Sequence, residues 1–133
     1  MIPSRIARTF LKKPLLGVGV QLYNEKDELK SEIEKSQWFD EKNLEKIKGK
    51  KILLVDEIDD TRTTLNYCVD QLWECGVKDI LIFVLMNKKK EKQESRLEKC
   101  KYIAGEEIDD VWVVFPWEAE DIDEHNKNAS QSK

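Results

Sequence analysis

The sequence predicts an α/β fold built on a parallel sheet, and three observations carry that reading. First, strand, turn and helix follow in direct succession. Ile52-Leu53-Leu54-Val55 is an apolar run bounded by lysines and acids, a polar turn follows, and Leu65, Val69, Leu72 and Trp73 then recur at helical spacing until Gly76 offers a stop. Second, Ile80-Leu81-Ile82-Phe83-Val84-Leu85 is a β-rich run bounded by polar residues, suited to the return strand of a βαβ unit. Third, the run at 52–55 is continuous rather than alternating, as in strands of a parallel sheet covered on both faces. At 133 residues the chain has room for one domain with one hydrophobic core.

The remaining elements follow in chain order. Pro3 suits the first turn of a helix, Ile6, Ala7, Phe10 and Leu11 form one apolar face, and Pro14 ends the run. Between Leu15 and Tyr23, Val18, Val20 and Leu22 alternate with Gly17, Gly19 and Gln21, which predicts the next strand of the sheet. Asn24 to Lys35 is rich in Glu, Lys, Asp and Ser with only Leu29 and Ile33 apolar, which fits either a short exposed helix or a mobile loop. Ser36-Gln37-Trp38-Phe39 restores an apolar anchor, and Leu44, Ile47 and Gly49 lead into the strand at 52. Beyond Leu85, Lys88, Lys89 and Lys90 stand at a strand's carboxyl end, and Glu91 to Lys101 reads as an exposed helix or loop. Val111 to Glu118 sets two Trp and one Phe around Pro116, which by itself suits packing in a core or at an edge. Residues 119–133 are acidic, then Asn-, Ser- and Lys-rich, the composition of a disordered tail.

Composition narrows the function. The net charge of -4 argues against nucleic acid or an anionic membrane as the main partner. No apolar run approaches the roughly 20 residues a bilayer span requires, and the N-terminus has no signal-peptide core, so the expected compartment is cytoplasmic. Cys68, Cys75 and Cys100 are odd in number and lack metal spacing, which supports neither a disulfide framework nor a zinc site. His125, the only histidine, lies in the polar tail without partners.

The chemistry concentrates at Asp56-Glu57-Ile58-Asp59-Asp60-Thr61-Arg62-Thr63-Thr64. In open α/β sheets ligands sit at the carboxyl ends of strands, where turn side chains and the free N–H groups of the next helix converge. Hydroxyls and amides at a helix start can cradle a phosphate, while carboxylates would repel it unless they faced ribose hydroxyls or a cation. A sugar phosphate gives every residue of the stretch a task. The alternative is an acidic, Thr-rich helix cap that binds nothing.

This stretch resembles the phosphoribosyl-pyrophosphate motif of type I phosphoribosyltransferases, and its Asp-Asp-Thr-Arg-Thr-Thr-Leu form is similar to fungal-type 6-oxopurine enzymes. The resemblance implies that Asp56 and Glu57 hold the ribose hydroxyls, that Asp60 is the catalytic base facing purine N7, and that Asp59 and the residues Asp60, Thr61, Arg62, Thr63 and Thr64 belong to the ribose and 5′-phosphate site. It implies Mg2+ as cofactor, reached from Asp56 and Glu57 through ribose or water. Arg62 stands where many members have Gly, so its side chain must point away from the phosphate or add charge to it.

The resemblance extends to the purine end. Lys88 occupies the place of the lysine that hydrogen-bonds the 6-oxo group, with Lys89 and Lys90 competing for it. Trp112-Val113-Val114-Phe115-Pro116-Trp117-Glu118 resembles the base-binding end of related enzymes, which would stack Trp112 on the purine, use backbone carbonyls near Val113 for the base edge and place Glu118 near the 2-position. Partners implied are phosphoribosyl pyrophosphate, a purine base, the nucleoside monophosphate and a second copy in a homodimer. In the family the segment matching Ile2-Pro3-Ser4-Arg5 follows a strand and a Gly-rich pyrophosphate loop, and a flexible loop covers the site near residues 24–35. The fold expected is therefore a type I phosphoribosyltransferase sheet lacking its first strand and N-terminal helix, with residues 1–118 as the domain and 119–133 as the tail. The function implied is purine salvage. The alternative is a non-catalytic nucleotide-binding or interaction protein of the same fold.

Overall fold

The apolar runs that predict strands at 52 and 80 lie side by side, and the helical periodicity between them becomes the crossover that makes them parallel. The structure, a computed structural model, describes residues 2–23 and 29–131. Its elements run α1 (Ile2–Leu11), β1 (Gly19–Tyr23), β2 (Leu29–Gln37), α2 (Glu41–Ile47), β3 (Lys51–Asp59), α3 (Thr63–Glu74), β4 (Asp79–Lys88), β5 (Lys101–Ile108), a 3-10 turn (Pro116–Glu118) and α4 (Ile122–Gln131). β3, β4 and β5 form a parallel three-stranded sheet in that order, with Val55 level with Phe83 and Phe83 level with Ile103.

Side chains alternate across a strand, so Ile80, Ile82 and Val84 of β4 share one face, where each is fully buried. Leu65, Val69 and Leu72 of α3 recur at helical spacing and close over that face, with Ile47, Val77 and Leu97 completing the core. Burial of each such side chain stabilises the fold by about 1.5–3 kcal/mol. α3 stops where expected: Gly76 takes φ +76°, and its N–H donates to the Trp73 carbonyl at 2.9 Å. The opposite face of the sheet is more open, with Leu53 and Ile103 exposed, so coverage on both faces does not extend to these positions among the described residues.

Several expectations are corrected. Gly19–Tyr23 does not join the parallel sheet; it pairs antiparallel with β2, Gly19 opposite Gln37. A short connection permits only antiparallel neighbours, whereas a parallel pair needs a crossover of a dozen residues. The charged segment from Leu29 is accordingly a strand rather than a helix or loop, because a cross-strand partner overrides its composition. The part of the loop expectation that falls on 24–28 lies outside the described residues. The ribbon is tied to α3 by Lys35, whose Nζ bonds Gln71 Oε1 and sits 4.9 Å from the Trp38 ring centroid and 5.9 Å from that of Tyr67.

Residues 91–97 form an extended loop rather than a helix, and β5 begins at Lys101, inside a segment read as exposed. The signal for β5 is weak because Glu106 and Glu107 interrupt its apolar pattern. In the tail, composition predicts disorder, but the structure has helix α4 there. Asp121 Oδ1 accepts from the N–H groups of Asp123 and Glu124 at 2.9 and 3.0 Å, a local cap, and no residue of α4 is buried. No helix among the described residues is long and apolar enough to cross a membrane.

Candidate active site

β3 runs through the acids instead of stopping before them, and its register decides which side chains meet. Asp59 is level with Asn87 of β4, so Asp60 and Lys88 leave the sheet side by side. Lys88 Nζ stands 3.2 Å from Asp60 Oδ2 and 3.4 Å from Asp110 Oδ1. Lys90 Nζ completes a ring of alternating charge, 2.9 Å from Asp60 Oδ1 and 3.0 Å from Asp110 Oδ2. Burial pushes the Asp60 carboxyl up, but hydrogen bonds and charge from Lys90 and Lys88 outweigh it and hold the group below its ordinary pKa. Among the competing lysines, Lys88 is the enclosed one, its side chain 8% exposed, while Lys89 is 57% exposed and turns toward Asp109.

The turn Asp60-Thr61-Arg62 carries the chain into α3. Arg62, the N-cap, has φ 70° and makes no side-chain cap bond, so its own side chain leaves the helix start uncovered. The hydroxyls of Thr61 and Thr63 lie 2.8 Å apart at that opening, beside Thr64. Arg62 points away from it. Its Nη2 and Nε donate to Asp59 Oδ2 at 2.8 and 3.1 Å, and the Tyr102 hydroxyl donates to the same oxygen at 2.9 Å. Asp59 is only 1% exposed, so of the expected ribose and phosphate residues it and its partner Arg62 are turned inward rather than onto the open turn.

Three residues before Asp59 on β3, Asp56 Oδ1 accepts the Glu57 N–H at 2.8 Å. Burial raises the Asp56 carboxyl above its ordinary pKa, only partly offset by that bond. Asp56 and Thr64 reach the wall of a cavity of about 940 Å3 along the edge of β3, whose other walls include Leu53 and Val55. Cys68, behind Asp56, has its thiol pushed up to about 12 by burial and by the Asp56 charge, which suits a packing residue and not a nucleophile.

Trp112 and Val113 lie in the segment after β5. The packing reading of this aromatic stretch holds for part of it. Phe115 is buried and stacks on Trp117 with centroids 4.8 Å apart and planes 5° apart. Trp112 is 90% exposed and packs on nothing comparable. Glu118 Oε2 accepts the Phe115 N–H at 3.0 Å, so this carboxylate holds the 3-10 turn in place. Asp110, Lys92 and Tyr102 have no part in the reading of the sequence, and Lys90 enters it only as a rival of Lys88, although the lysine run between Asp59-Asp60 and Asp109-Asp110 contains the charges that make the ring.

The phosphoribosyl transferase domain family matches residues 2–122 of this chain. The chain belongs to that family. Xanthine phosphoribosyltransferase 1 of Saccharomyces cerevisiae is 37% identical over 157 aligned positions, covering 94% of this chain and 75% of that protein. Hypoxanthine-guanine phosphoribosyltransferase of Schizosaccharomyces pombe is 38% identical, covering 98% and 77%. A hypothetical protein from Neisseria gonorrhoeae, solved with bound ppGpp, superposes with a TM-score of 0.87 at 36% identity, over 99% of this chain and 76% of that one. As a phosphoribosyltransferase the chain has its parallel sheet explained, and the turn after β3 gains a reason for its threonines. Phosphoribosyltransferases of this family generally use a divalent metal. No group of three His, Cys, Asp or Glu among the described residues could hold one alone. Asp56 and Glu57 stand next to each other on the extended β3.

Proposed function

We propose that this phosphoribosyltransferase transfers the phosphoribosyl group of phosphoribosyl pyrophosphate to a 6-oxopurine, giving a nucleoside monophosphate and pyrophosphate in purine salvage. The observation that carries the reading is the 3.2 Å approach of Lys88 to Asp60 beside the threonine turn. A 6-oxopurine presents an acceptor at O6 and a site for a proton at N7. An ammonium and a carboxylate placed side by side match that pair. The turn from Asp60 to Thr64 holds the 5′-phosphate through hydroxyls and helix-start amides, and Asp56 and Glu57 accept from the ribose hydroxyls.

In the reaction the bond from C1′ to the pyrophosphate oxygen breaks and the bond from purine N9 to C1′ forms. C1′ becomes cationic as the leaving group departs, and the carboxylates of β3 lower the cost of that charge. Asp60, ionised through its lysines, takes up the proton at N7 as N9 attacks. Lys88 orients the base through O6, and Trp112, which is 90% exposed, stacks on the purine. Mg2+, held from Asp56 and Glu57 through ribose or water, would supply neutralisation of the pyrophosphate charge.

A cytoplasmic homodimer, with residues 1–118 as the domain and 119–133 as an appended tail, belongs to the same reading. The stripe Ile2, Ile6 and Phe10 on α1, exposed at 44%, 55% and 78%, supports association. Nucleotide binding without turnover is the second reading, favoured by the ppGpp bound in the Neisseria protein. A spectrophotometric assay with phosphoribosyl pyrophosphate and hypoxanthine, xanthine or guanine decides between them. Product formed with any base supports transfer. Nucleoside monophosphate bound by calorimetry with no turnover for all three bases leaves the second reading standing and removes the first.

A further inference from the structure

Arg62 is a residue with a side chain in a conformation that ordinarily favours glycine, φ 70° and ψ 1°. Its partners hold it there. Its guanidinium is fixed by two bonds to the buried Asp59 carboxylate and lies 5.4 Å from the Tyr102 ring centroid. Tyr102 comes from β5 and bonds the same carboxylate oxygen. Lys92, from the loop after β4, donates to the backbone carbonyls of both Asp59 and Asp60 at 2.7 Å. The residues that follow Lys92 are tied as well: Gln93 N–H donates to the Thr61 carbonyl at 3.1 Å, and Asn66 of α3 bonds the Glu94 carbonyl at 2.9 Å and the Arg96 N–H at 3.1 Å.

We propose that Asp59, Arg62, Tyr102 and Lys92 are positioning residues that set the shape of the phosphate-binding turn Asp60–Thr64 without touching the ligand. This deepens the proposed function and rests on its assignment of the turn to a 5′-phosphate. The logic is that of a pair. A glycine at 62 adopts the left-handed conformation without help, but a glycine facing this buried Asp59 would leave the carboxylate without its main partner. Arginine and aspartate therefore belong together, and the side chain that looks like an extra phosphate ligand in the sequence is committed to the interior. Tyr102 and Lys92 bring β5 and the loop after β4 to bear on the same turn, so the turn's geometry is set by three separate segments of chain.

The test is a cycle read in two ways. Hydrogen exchange of the free protein reports the order of the Thr61–Leu65 amides whatever the ligand, and calorimetry with ribose 5-phosphate reports the turn's affinity for a sugar phosphate. Arg62→Gly is expected to speed exchange of those amides about tenfold and weaken ribose 5-phosphate about tenfold. Adding Asp59→Val is expected to recover both to within about threefold of the parent. Lys92→Met is expected to loosen the same amides while a thermal melt shows the chain still folded. A direct phosphate contact by Arg62 predicts instead that the double variant stays as weak as Arg62→Gly, and that result overturns the proposal. Unchanged exchange in Arg62→Gly and in Lys92→Met overturns it as well. Absence of ribose 5-phosphate binding by the parent removes the proposed function, while the exchange arm still decides the positioning role.

Discussion

Lys88, the last residue of β4, stands 3.2 Å from Asp60, the first residue beyond β3, because parallel register brings the ends of the two strands level. Both belong to a four-member ring with Lys90 and Asp110, so neither charge faces an empty site alone. In the proposed reaction an incoming base opens this ring, exchanging the contact of Asp60 with Lys88 for contacts with N7 and O6.

Removing the two members should therefore have different kinetic signatures. Asp60→Asn keeps shape but cannot take a proton, and kcat for base conversion should fall by about 10²–10⁴. Lys88→Met should mainly raise KM for the purine, leaving KM for phosphoribosyl pyrophosphate within about threefold of the parent. Steady-state kinetics varying each substrate in turn distinguish the two. Equal effects of both substitutions on both substrates would count against the assigned roles.

The ring also predicts an acid dependence. Asp60 has its folded pKa below the ordinary value of 3.8, so the unfolded chain binds its proton first. The stabilisation is whole above about pH 4, where the unfolded group is ionised. It is lost as pH falls through the depressed folded value. Urea melts at pH 7 and in steps below pH 4 should show Asp60→Asn losing less stability on acidification than the parent. Identical acid profiles would mean that the ring does not differ between folded and unfolded chains.

Trp112 is 90% exposed, so its truncation removes almost no packing. Trp112→Ala should change stability by less than about 0.5 kcal/mol. It should weaken nucleoside monophosphate by about 1–3 kcal/mol, the usual worth of an aromatic against a base. Ribose 5-phosphate affinity should not change. Calorimetry with both ligands and a thermal melt check all three, and equal losses for the two ligands would refute base stacking.

Gly105 of β5 is tight against β4. A Cβ built there would lie 2.8 Å from the Leu85 carbonyl oxygen, a backbone atom that cannot swing aside. Gly105→Ala should destabilise the fold by about 1–3 kcal/mol through forced separation of the strands. Chemical denaturation measures it. A neutral result would show that β5 shifts without cost.

What the sequence alone determined is what depends on neighbours along the chain. The βαβ unit was legible because apolar runs and the Leu65, Val69, Leu72 spacing are local, and the polar turn between strand and helix because its threonines and acids are consecutive. Even there, the end of β3 was missed: polar side chains at Asp56 and Glu57 look like a turn, yet pairing with Val84 and Met86 on either side keeps Asp56 to Asp59 extended. Tertiary structure decided the rest. Which lysine meets Asp60 depends on a strand register 28 residues apart, and whether Arg62 faces the phosphate or the interior depends on Asp59 being buried beside Tyr102, 43 residues further on. The partner of Gly19–Tyr23 was likewise set by the strand that could reach it. Periodicity specifies which face of an element is buried, but it does not specify what arrives from elsewhere in the chain to bury it. Polar side chains take their roles from those arrivals, because a carboxylate is a ligand, a base or an internal anchor according to the charge placed within about 3 Å of it.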